Sequence, residues 1–255
     1  MTDAVLFDAR DDGIAVITLN RPEARNALGK DIRAGLFAAW DRFERDPALR
    51  VAILTGTGDR AFCAGSDIKD NYVAHPGEEA PKSPFTIMYD LYKPMIAAIN
   101  GHANGGGLEQ ALACDIRVAA HHAQFGLGEV RLGWLPGGGG TQRLPRLISM
   151  GRALEMLYTG GRIGAEEALR IGLVDYVMPM SRIMTKCEEI AAEICKSAPL
   201  AVSRIKQAAM RGLDLPLAGG IKLEHELYKW LQGTEDAREG ARAFAEKRPP
   251  QWKGK

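Results

Sequence analysis

The stretch MIAAINGHANGGGLEQALACDIRVAA, residues 95–120, decides the fold class of this chain. It starts with a short apolar run at 95–100, which predicts a buried strand, and three consecutive glycines at 105–107 follow that run. A helix is predicted over 108–114 and a second strand over 116–120. Strand, glycine-rich turn, short helix and strand in this order are typical of an α/β fold with repeated crossovers.

The residues on the N-terminal side extend the same pattern. Apolar runs at 4–9 and 14–19 flank the turn Asp11-Asp12-Gly13 and predict a hairpin. Apolar residues at helical spacing predict a helix over 34–43, and a continuous apolar run predicts a strand at 51–54. Residues 70–86 are polar and rich in proline, which predicts a mobile surface loop.

The C-terminal part of the chain has a different character. After Ala198-Pro199, residues 200–245 are nearly all helix formers, with apolar residues at helical spacing. We therefore predict an α/β core over 1–197 and a helical region over 198–255. The apolar faces of this region are expected to fold back on the core or to pack on another subunit.

Composition and charge exclude several classes of function. The 255 residues carry a formal net charge of +1, which provides no general field for nucleic acid or an anionic membrane. No apolar stretch approaches the ~20 residues that a membrane span needs, and the first residues show no signal-peptide pattern. The four cysteines are widely spaced, as is typical of reduced thiols. We expect a cytoplasmic enzyme with neither nucleic-acid nor membrane partners.

The glycine-rich runs do not match the common nucleotide-binding motifs. The chain contains no G-x-x-x-x-G-K-[ST] and no G-x-G-x-x-G after a strand. Adjacent His121 and His122 would point to opposite faces of a strand, and the ligand spacings of metal sites are missing. We therefore expect no metal ion.

The glycines at 105–107 can instead serve carbonyl chemistry. They allow close approach to a ligand, and the first N–H groups of the following helix suit a developing oxyanion. The turn at Gly65-Ser66 would supply a second donor. Glycine runs are, however, also explained by tight turns alone.

Two glutamates accompany these donors. Glu109 lies in the first turn of the predicted helix, where the helix dipole should favour its ionisation. Glu129 has apolar neighbours, and loss of solvent would raise its pKa. Two carboxylates shifted in opposite directions would form a base and an acid. The alternatives are helix capping for Glu109 and a surface ion pair with Arg131 or a neighbour for Glu129.

Short motifs that include these glycines and glutamates are spread along nearly the whole chain. They are RPEARNAL (21–28), FCAGSDIK (62–69), INGHANGGGLE (99–109), AQFGLGE (123–129), GGTQRL (139–144), LYTG (157–160) and FAEKR (244–248). In this order they resemble the enoyl-CoA hydratase/isomerase (crotonase) family. The resemblance implies a spiral of ββα turns with a helical C-terminal trimerisation region, and trimers that commonly pair into hexamers.

The resemblance also implies a reaction and a set of site residues. The amides of Ser66 and Gly106 would hold a thioester carbonyl, with Glu109 as base and Glu129 as proton donor. Because both glutamates are present, the hydratase branch is implied: water adds to a trans-2-enoyl-CoA, as in fatty acid metabolism. Coenzyme A is part of the substrate, and no separate cofactor is implied. The implied coenzyme A contacts are Ala24, Arg25, Ala64, Ser66, Asp67, Ile68, Lys69, Gly106 and Lys247, the last often from another subunit.

Other reactions remain open from the sequence. The family often has a small residue such as alanine at the position of Ser66, and the extra hydroxyl leaves the acyl group undecided. The alternatives are a dehydratase like that for carnitinyl-CoA, a hydratase for a cyclic enoyl-CoA, and an acyl-CoA hydrolase that uses Ser66 or a water. A binding module without catalysis is disfavoured by the neutral charge and the glutamate pair.

Overall fold

A computed structural model of the chain describes residues 3–70 and 84–255. Strands and helices alternate along most of these ranges, as the sequence predicts. The strands are β1 (Val5–Ala9), β2 (Ile14–Leu19), β3 (Val51–Gly56), β4 (Ala61–Cys63), β5 (Met95–Ile99), β6 (His102–Asn104), β7 (Ile116–Ala120), β8 (Gln124–Gly126), β9 (Arg162–Gly164) and β10 (Tyr176–Met178). The helices are α1 (Lys30–Arg45), α2 (Pro84–Tyr89), α3 (Gly106–Ala113), α4 (Gly140–Leu147), α5 (Met150–Thr159), α6 (Ala165–Arg170), α7 (Ile183–Cys195), α8 (Pro199–Gly212), α9 (Leu217–Gln232) and α10 (Glu235–Glu246).

The strands form two sheets, and from β3 to β8 consecutive strands alternate between them. The larger sheet has the order β1-β2-β3-β5-β7-β10 and is parallel apart from the β1–β2 hairpin. The smaller sheet has the order β4-β6-β8-β9, with β9 antiparallel to β8. The pairs β3–β4, β5–β6 and β7–β8 each contribute one strand to each sheet. This repetition gives the predicted spiral, and it brings the ends of β4, β6 and β8 together.

The larger sheet is covered on both faces, which explains the continuous apolar runs of its strands. On one face, Trp40 and Phe43 of α1 pack in the same cluster as Leu54 of β3. On the other face, Cys187 of α7 packs in a cluster with Ile53 of β3. Alternate residues of one strand therefore serve two different layers.

Several element boundaries differ from the sequence prediction. Helix α1 spans Lys30–Arg45, longer than the predicted 34–43, and α3 begins inside the glycine run at Gly106. Strand β6 is only three residues long, too short for a period to reveal it. Of the predicted loop 70–86, residues 71–83 lie outside the described ranges. Its predicted end is wrong, because Pro84 opens α2, where Phe85 and Met88 are buried.

The region after residue 197 is helical, with α8 packed against α9 and α10 against α9. Asp236 of α10 accepts hydrogen bonds from the amides of Lys253 and Gly254, which holds the C-terminal residues against this helix. The division of the chain at 197 stays a prediction. Among the described residues, the search for an apolar helix long enough to cross a membrane finds none.

Candidate active site

The turn between β6 and α3 requires glycine at position 105. Gly105 has φ 51° and ψ −128°, a backbone conformation that side chains rarely adopt, and its amide donates to the Gly126 carbonyl of β8. A methyl group at this position would lie 2.9 Å from Oε1 of Glu129. The turn therefore brings the backbone directly against a carboxylate.

The amides of Ser66 and Gly106 lie in two adjacent turns. Gly106 is the first residue of α3, so its N–H has no partner within the helix. The Gly65 carbonyl and the Asp67 amide both bond to Leu28, so the intervening Ser66 amide points to the opposite side. A methyl group at Gly65 would lie 3.5 Å from the Gly106 nitrogen. Within the described ranges neither amide donates a hydrogen bond, and such paired donors can polarise a carbonyl.

Glu109 is buried in the first turn of α3 and is held by a glycine-rich loop. Its Oε1 accepts hydrogen bonds from the amides of Gly138 (2.7 Å) and Gly140 (2.8 Å). Burial raises the pKa of Glu109, and the two amides and the nearby Arg143 oppose this rise only in part. The expectation that the helix dipole favours its ionisation is therefore wrong in net direction, because only 3% of the residue is exposed.

Glu129 follows β8 and is half-buried. Its Oε2 is inaccessible to solvent and has no hydrogen-bond partner among the described residues. Burial raises the pKa of Glu129, as the sequence predicts, and the negative charge of Glu109 raises it further. Arg131 donates instead to the Thr159 carbonyl, so the alternative of an Arg131 ion pair is not found.

The two glutamates reach the same turn of α3 from different directions. A methyl group at Gly106 would lie 2.8 Å from Cδ1 of Leu28, 3.5 Å from the Phe85 ring and 3.9 Å from Oε2 of Glu109. Oε2 of Glu109 therefore faces the space in front of the Gly106 backbone, which Leu28 and Phe85 wall with apolar groups. A carboxylate in such surroundings can accept a proton from a bound water.

The structure brings together part of the predicted coenzyme A contacts. The Ala64 amide donates to the Arg25 carbonyl (3.0 Å), which joins the Ala24-Arg25 turn to the segment before Ser66. Asp67 pairs with Arg21 at 3.3 Å. Ile68 and Lys69 are exposed beside this segment.

Lys247 is not brought to this segment within the chain. It ends α10 with φ 52°, and no hydrogen bond or ion pair among the described residues connects it with 64–69. The contact of Lys247 with coenzyme A that the resemblance implies stays a prediction.

Sequence reasoning missed two arginines beside the site. Arg33 of α1 donates from Nε to the Leu28 carbonyl and from Nη2 to Oγ of Ser66 (3.1 Å). Half-buried Arg143 of α4 donates to the Gly138 carbonyl (3.0 Å) and so braces the loop that holds Glu109. Arg143 could have been found from the sequence, because it belongs to the GGTQRL motif. Arg33 lies on α1 outside every motif, so no feature of the sequence indicates that it lies near the site.

Neither a thiol nor a metal cluster stands out near these groups. Burial raises the pKa of the Cys63 thiol to about 12, so it stays protonated and packs as a small apolar side chain. Over residues 3–70 and 84–255, no group of three or more His, Cys, Asp or Glu side chains could hold a metal ion.

Comparisons with known proteins agree with the motifs. The enoyl-CoA hydratase/isomerase family model matches residues 9–255. The (E)-benzylidenesuccinyl-CoA hydratase of Thauera aromatica is 46% identical over 248 residues, which cover 94% of this chain and 96% of that protein. The carnitinyl-CoA dehydratase of Salmonella paratyphi A is 42% identical over 260 residues, covering 96% and 97% of the two chains.

A solved structure of an enoyl-CoA hydratase from Bacillus anthracis has the same fold. It superposes with a TM-score of 0.91 at 40% identity and covers 99% of this chain and 100% of its own. Fold, motif order and sequence identity along the whole length lead to one conclusion. The chain belongs to the enoyl-CoA hydratase/isomerase family, and its fold is the crotonase fold.

Proposed function

We propose that this protein is an enoyl-CoA hydratase that adds water reversibly to a trans-2-enoyl-CoA to give a 3-hydroxyacyl-CoA. The observation that carries the proposal is the pair of carboxylates, buried Glu109 and half-buried Glu129, at the turn that presents the Gly106 amide. The coarser assignment, a member of the enoyl-CoA hydratase/isomerase family, rests on the comparisons.

The first step is polarisation of the substrate. The thioester oxygen accepts hydrogen bonds from the amides of Ser66 and Gly106, and negative charge collects on this oxygen as the enolate forms. Apolar walls at Leu28 and Phe85 keep the dielectric low, so each hydrogen bond stabilises the enolate more than it would in water.

Proton transfers complete the addition. Glu109, as the carboxylate, takes a proton from water while the water oxygen bonds to the β-carbon and the π electrons move to the thioester oxygen. Glu129, whose pKa is raised by burial, is assigned as the acid that gives its proton to the α-carbon as the enolate collapses. The negative charge of Glu109 raises the pKa of Glu129 further, which supports the assignment of Glu109 as base and Glu129 as acid. The reverse reaction uses the same groups in exchanged roles.

The coenzyme A part of the substrate is assigned mainly to main-chain groups. Ala24, Arg25 and residues 64–69 line one edge, where the Ala64 amide already bonds to the Arg25 carbonyl. Lys247 is assigned to a neighbouring subunit of a homotrimer or a dimer of trimers. In support, Phe244 beside it is 88% exposed, and Leu217 of α9 is 80% exposed. Coenzyme A enters as part of the substrate, and the proposal requires no cofactor or metal ion.

The acyl group is the main open choice within this proposal. Oγ of Ser66 and the Arg33 guanidinium form a polar pair beside the proposed carbonyl position. This pair favours an acyl group with a polar or anionic substituent, in keeping with the relative named for benzylidenesuccinyl-CoA. The hydrolase alternative is weaker, because the hydrogen bond to Oγ of Ser66 comes from a guanidinium and not from a general base.

The test is hydration of a panel of enoyl-CoA thioesters, followed as loss of the conjugated-thioester absorbance. Crotonyl-CoA and a carnitinyl-type or cyclic enoyl-CoA should separate the general from the specialised hydratase. Glu109→Gln and Glu129→Gln should each lower kcat by at least ~10²-fold, the scale of a placed acid or base. Release of free coenzyme A without hydration would favour a hydrolase, and near-normal hydration by either variant would exclude the two-carboxylate mechanism.

A further inference from the structure

A polar cavity lies on the outer side of the smaller sheet, and neither Glu109 nor Glu129 lines it. Its volume is about 690 Å³. It is lined by Arg25, Asp59, Arg60, His102, His122, Arg162 and Met180. None of the residues 64–69 contributes to it, and neither do Glu109, Glu129 and Lys247.

The sheet directs these side chains outward. His102 opens β6 and Arg162 opens β9, while their strand neighbours Ala103 and Ile163 are buried in the core. Because successive side chains of a strand point to opposite faces, His102 and Arg162 share the outer face. Arg60 lies directly before β4, and His122 lies in the turn after β7. Together with Arg25, five basic side chains from separate segments thus line one cavity.

The three guanidinium groups of this cavity have no compensating partners among the described residues. Arg25, Arg60 and Arg162 make no side-chain hydrogen bond, ion pair or ring contact there, unlike Arg21, which pairs with Asp67. Asp59 is the one acidic residue in the lining, and its carbonyl oxygen lies 2.7 Å from Nε2 of His122. The cavity therefore holds an excess of positive charge.

The pKa of His102 is consistent with this excess of positive charge. Burial, and then electrostatic repulsion from Arg162 and the other basic side chains nearby, lower the pKa of His102. Its Nδ1 is inaccessible to solvent and has no hydrogen-bond partner among the described residues. An anion in the cavity would face both the guanidinium groups and this imidazole.

We propose that this cavity is a separate binding site for a phosphate-bearing anion. Three guanidinium groups carry more positive charge and more N–H donors than a single carboxylate can neutralise and bind. A phosphate has a double negative charge and several oxygens that can accept hydrogen bonds from them. Arg25 would serve both sites, through its carbonyl toward the Ala64 segment and through its side chain in the cavity. The proposal does not depend on the reaction proposed above.

The first experiment measures binding of inorganic phosphate and pyrophosphate to the purified protein by isothermal titration calorimetry. The double variant Arg60→Gln/Arg162→Gln should bind at least about tenfold more weakly, since charge-assisted hydrogen bonds are lost. The matched control is Arg45→Gln/Arg170→Gln, which removes the same charge from side chains that are 79% and 71% exposed elsewhere. The control should bind like the wild type.

The second experiment follows His102 by NMR titration. Phosphate should raise the pKa of His102 in the wild type and not in the Arg60/Arg162 double variant, because an anion stabilises the imidazolium. Equal phosphate binding by all variants, or an unshifted His102, would overturn the proposal.

Two further measurements exclude other occupants of the cavity. Competition between phosphate and an acyl-CoA would mean that the substrate's own phosphates use the cavity, which contradicts a separate site. An oligomeric state that changes in the double variant, without any phosphate binding by the wild type, would assign the cavity to a partner subunit and would also overturn the proposal. Failure of either kind leaves the hydratase assay unaffected, since Arg60 and Arg162 have no part in that mechanism.

Discussion

Gly138→Ala tests whether the glycine-rich loop positions Glu109 for catalysis. The added methyl group would lie 2.6 Å from Oε2 of Glu109 and 2.8 Å from two carbons of the Phe85 ring. Ordinary contacts begin at 3.4 Å, so relief of both contacts requires the carboxylate to move by about 0.8 Å and the ring by about 0.6 Å. A misplacement of ~1 Å at a catalytic group can cost ~10²-fold in rate, and overpacking typically costs about 1–3 kcal/mol of stability. We therefore expect kcat to fall by about 10²-fold while the variant still folds.

The same loop offers a matched control at Gly137. A methyl group there would meet nothing within 4 Å, so Gly137→Ala changes the loop backbone without crowding Glu109. Steady-state hydration of the best enoyl-CoA and thermal unfolding are measured for both variants. Wild-type kcat in a folded Gly138→Ala, or an equal loss in Gly137→Ala, would refute the role given to the contact between the loop and Glu109.

Further predictions concern protonation, the donor amide and the core. The pH profile of kcat/KM should be bell-shaped. Activity should fall at low pH as Glu109 gains a proton and at high pH as Glu129 loses one. Glu129→Gln should therefore show no fall of activity at high pH. Because burial raises the pKa of Glu129, its stability contribution is lost as pH rises through that pKa, so Glu129→Gln should raise Tm at pH 7 and less so below about pH 4. Ser66→Ala should keep most of kcat, since the amide remains; a loss as large as that of Glu109→Gln would show that the hydroxyl is required. Trp40→Ala removes a fully buried side chain and should cost about 3–5 kcal/mol in urea unfolding.

Much of the architecture follows from local patterns in the sequence. The strands of the larger sheet are buried on both faces, so they are continuous apolar runs that can be read without knowledge of their neighbours. Strand β6 could not be found in this way, because three residues carry no measurable period. Helix α2 was also missed, since its buried Phe85 and Met88 follow a polar, proline-rich segment.

The site shows where motif and local reasoning reach their limit. The motif order picks out Glu109 and Glu129, and the rise in the Glu129 pKa follows from its apolar neighbours. The direction for Glu109 was wrong, because local reasoning considered the helix dipole and not the burial of the carboxylate in the folded chain, which outweighs the hydrogen bonds from the amides of Gly138 and Gly140. The cavity lined by Arg25 and Arg162 could not be predicted from the sequence either, because its lining residues lie in segments far apart in the chain.

The central claim is that the Ser66 and Gly106 amides hold one thioester oxygen between two working carboxylates. A crystal structure with bound acetoacetyl-CoA tests this most directly. We predict that the thioester oxygen lies about 2.7–3.1 Å from both amide nitrogens, with Glu109 and Glu129 next to the β- and α-carbons. A thioester oxygen bonded to neither amide, or an acyl chain that leaves either glutamate out of reach, would contradict the claim.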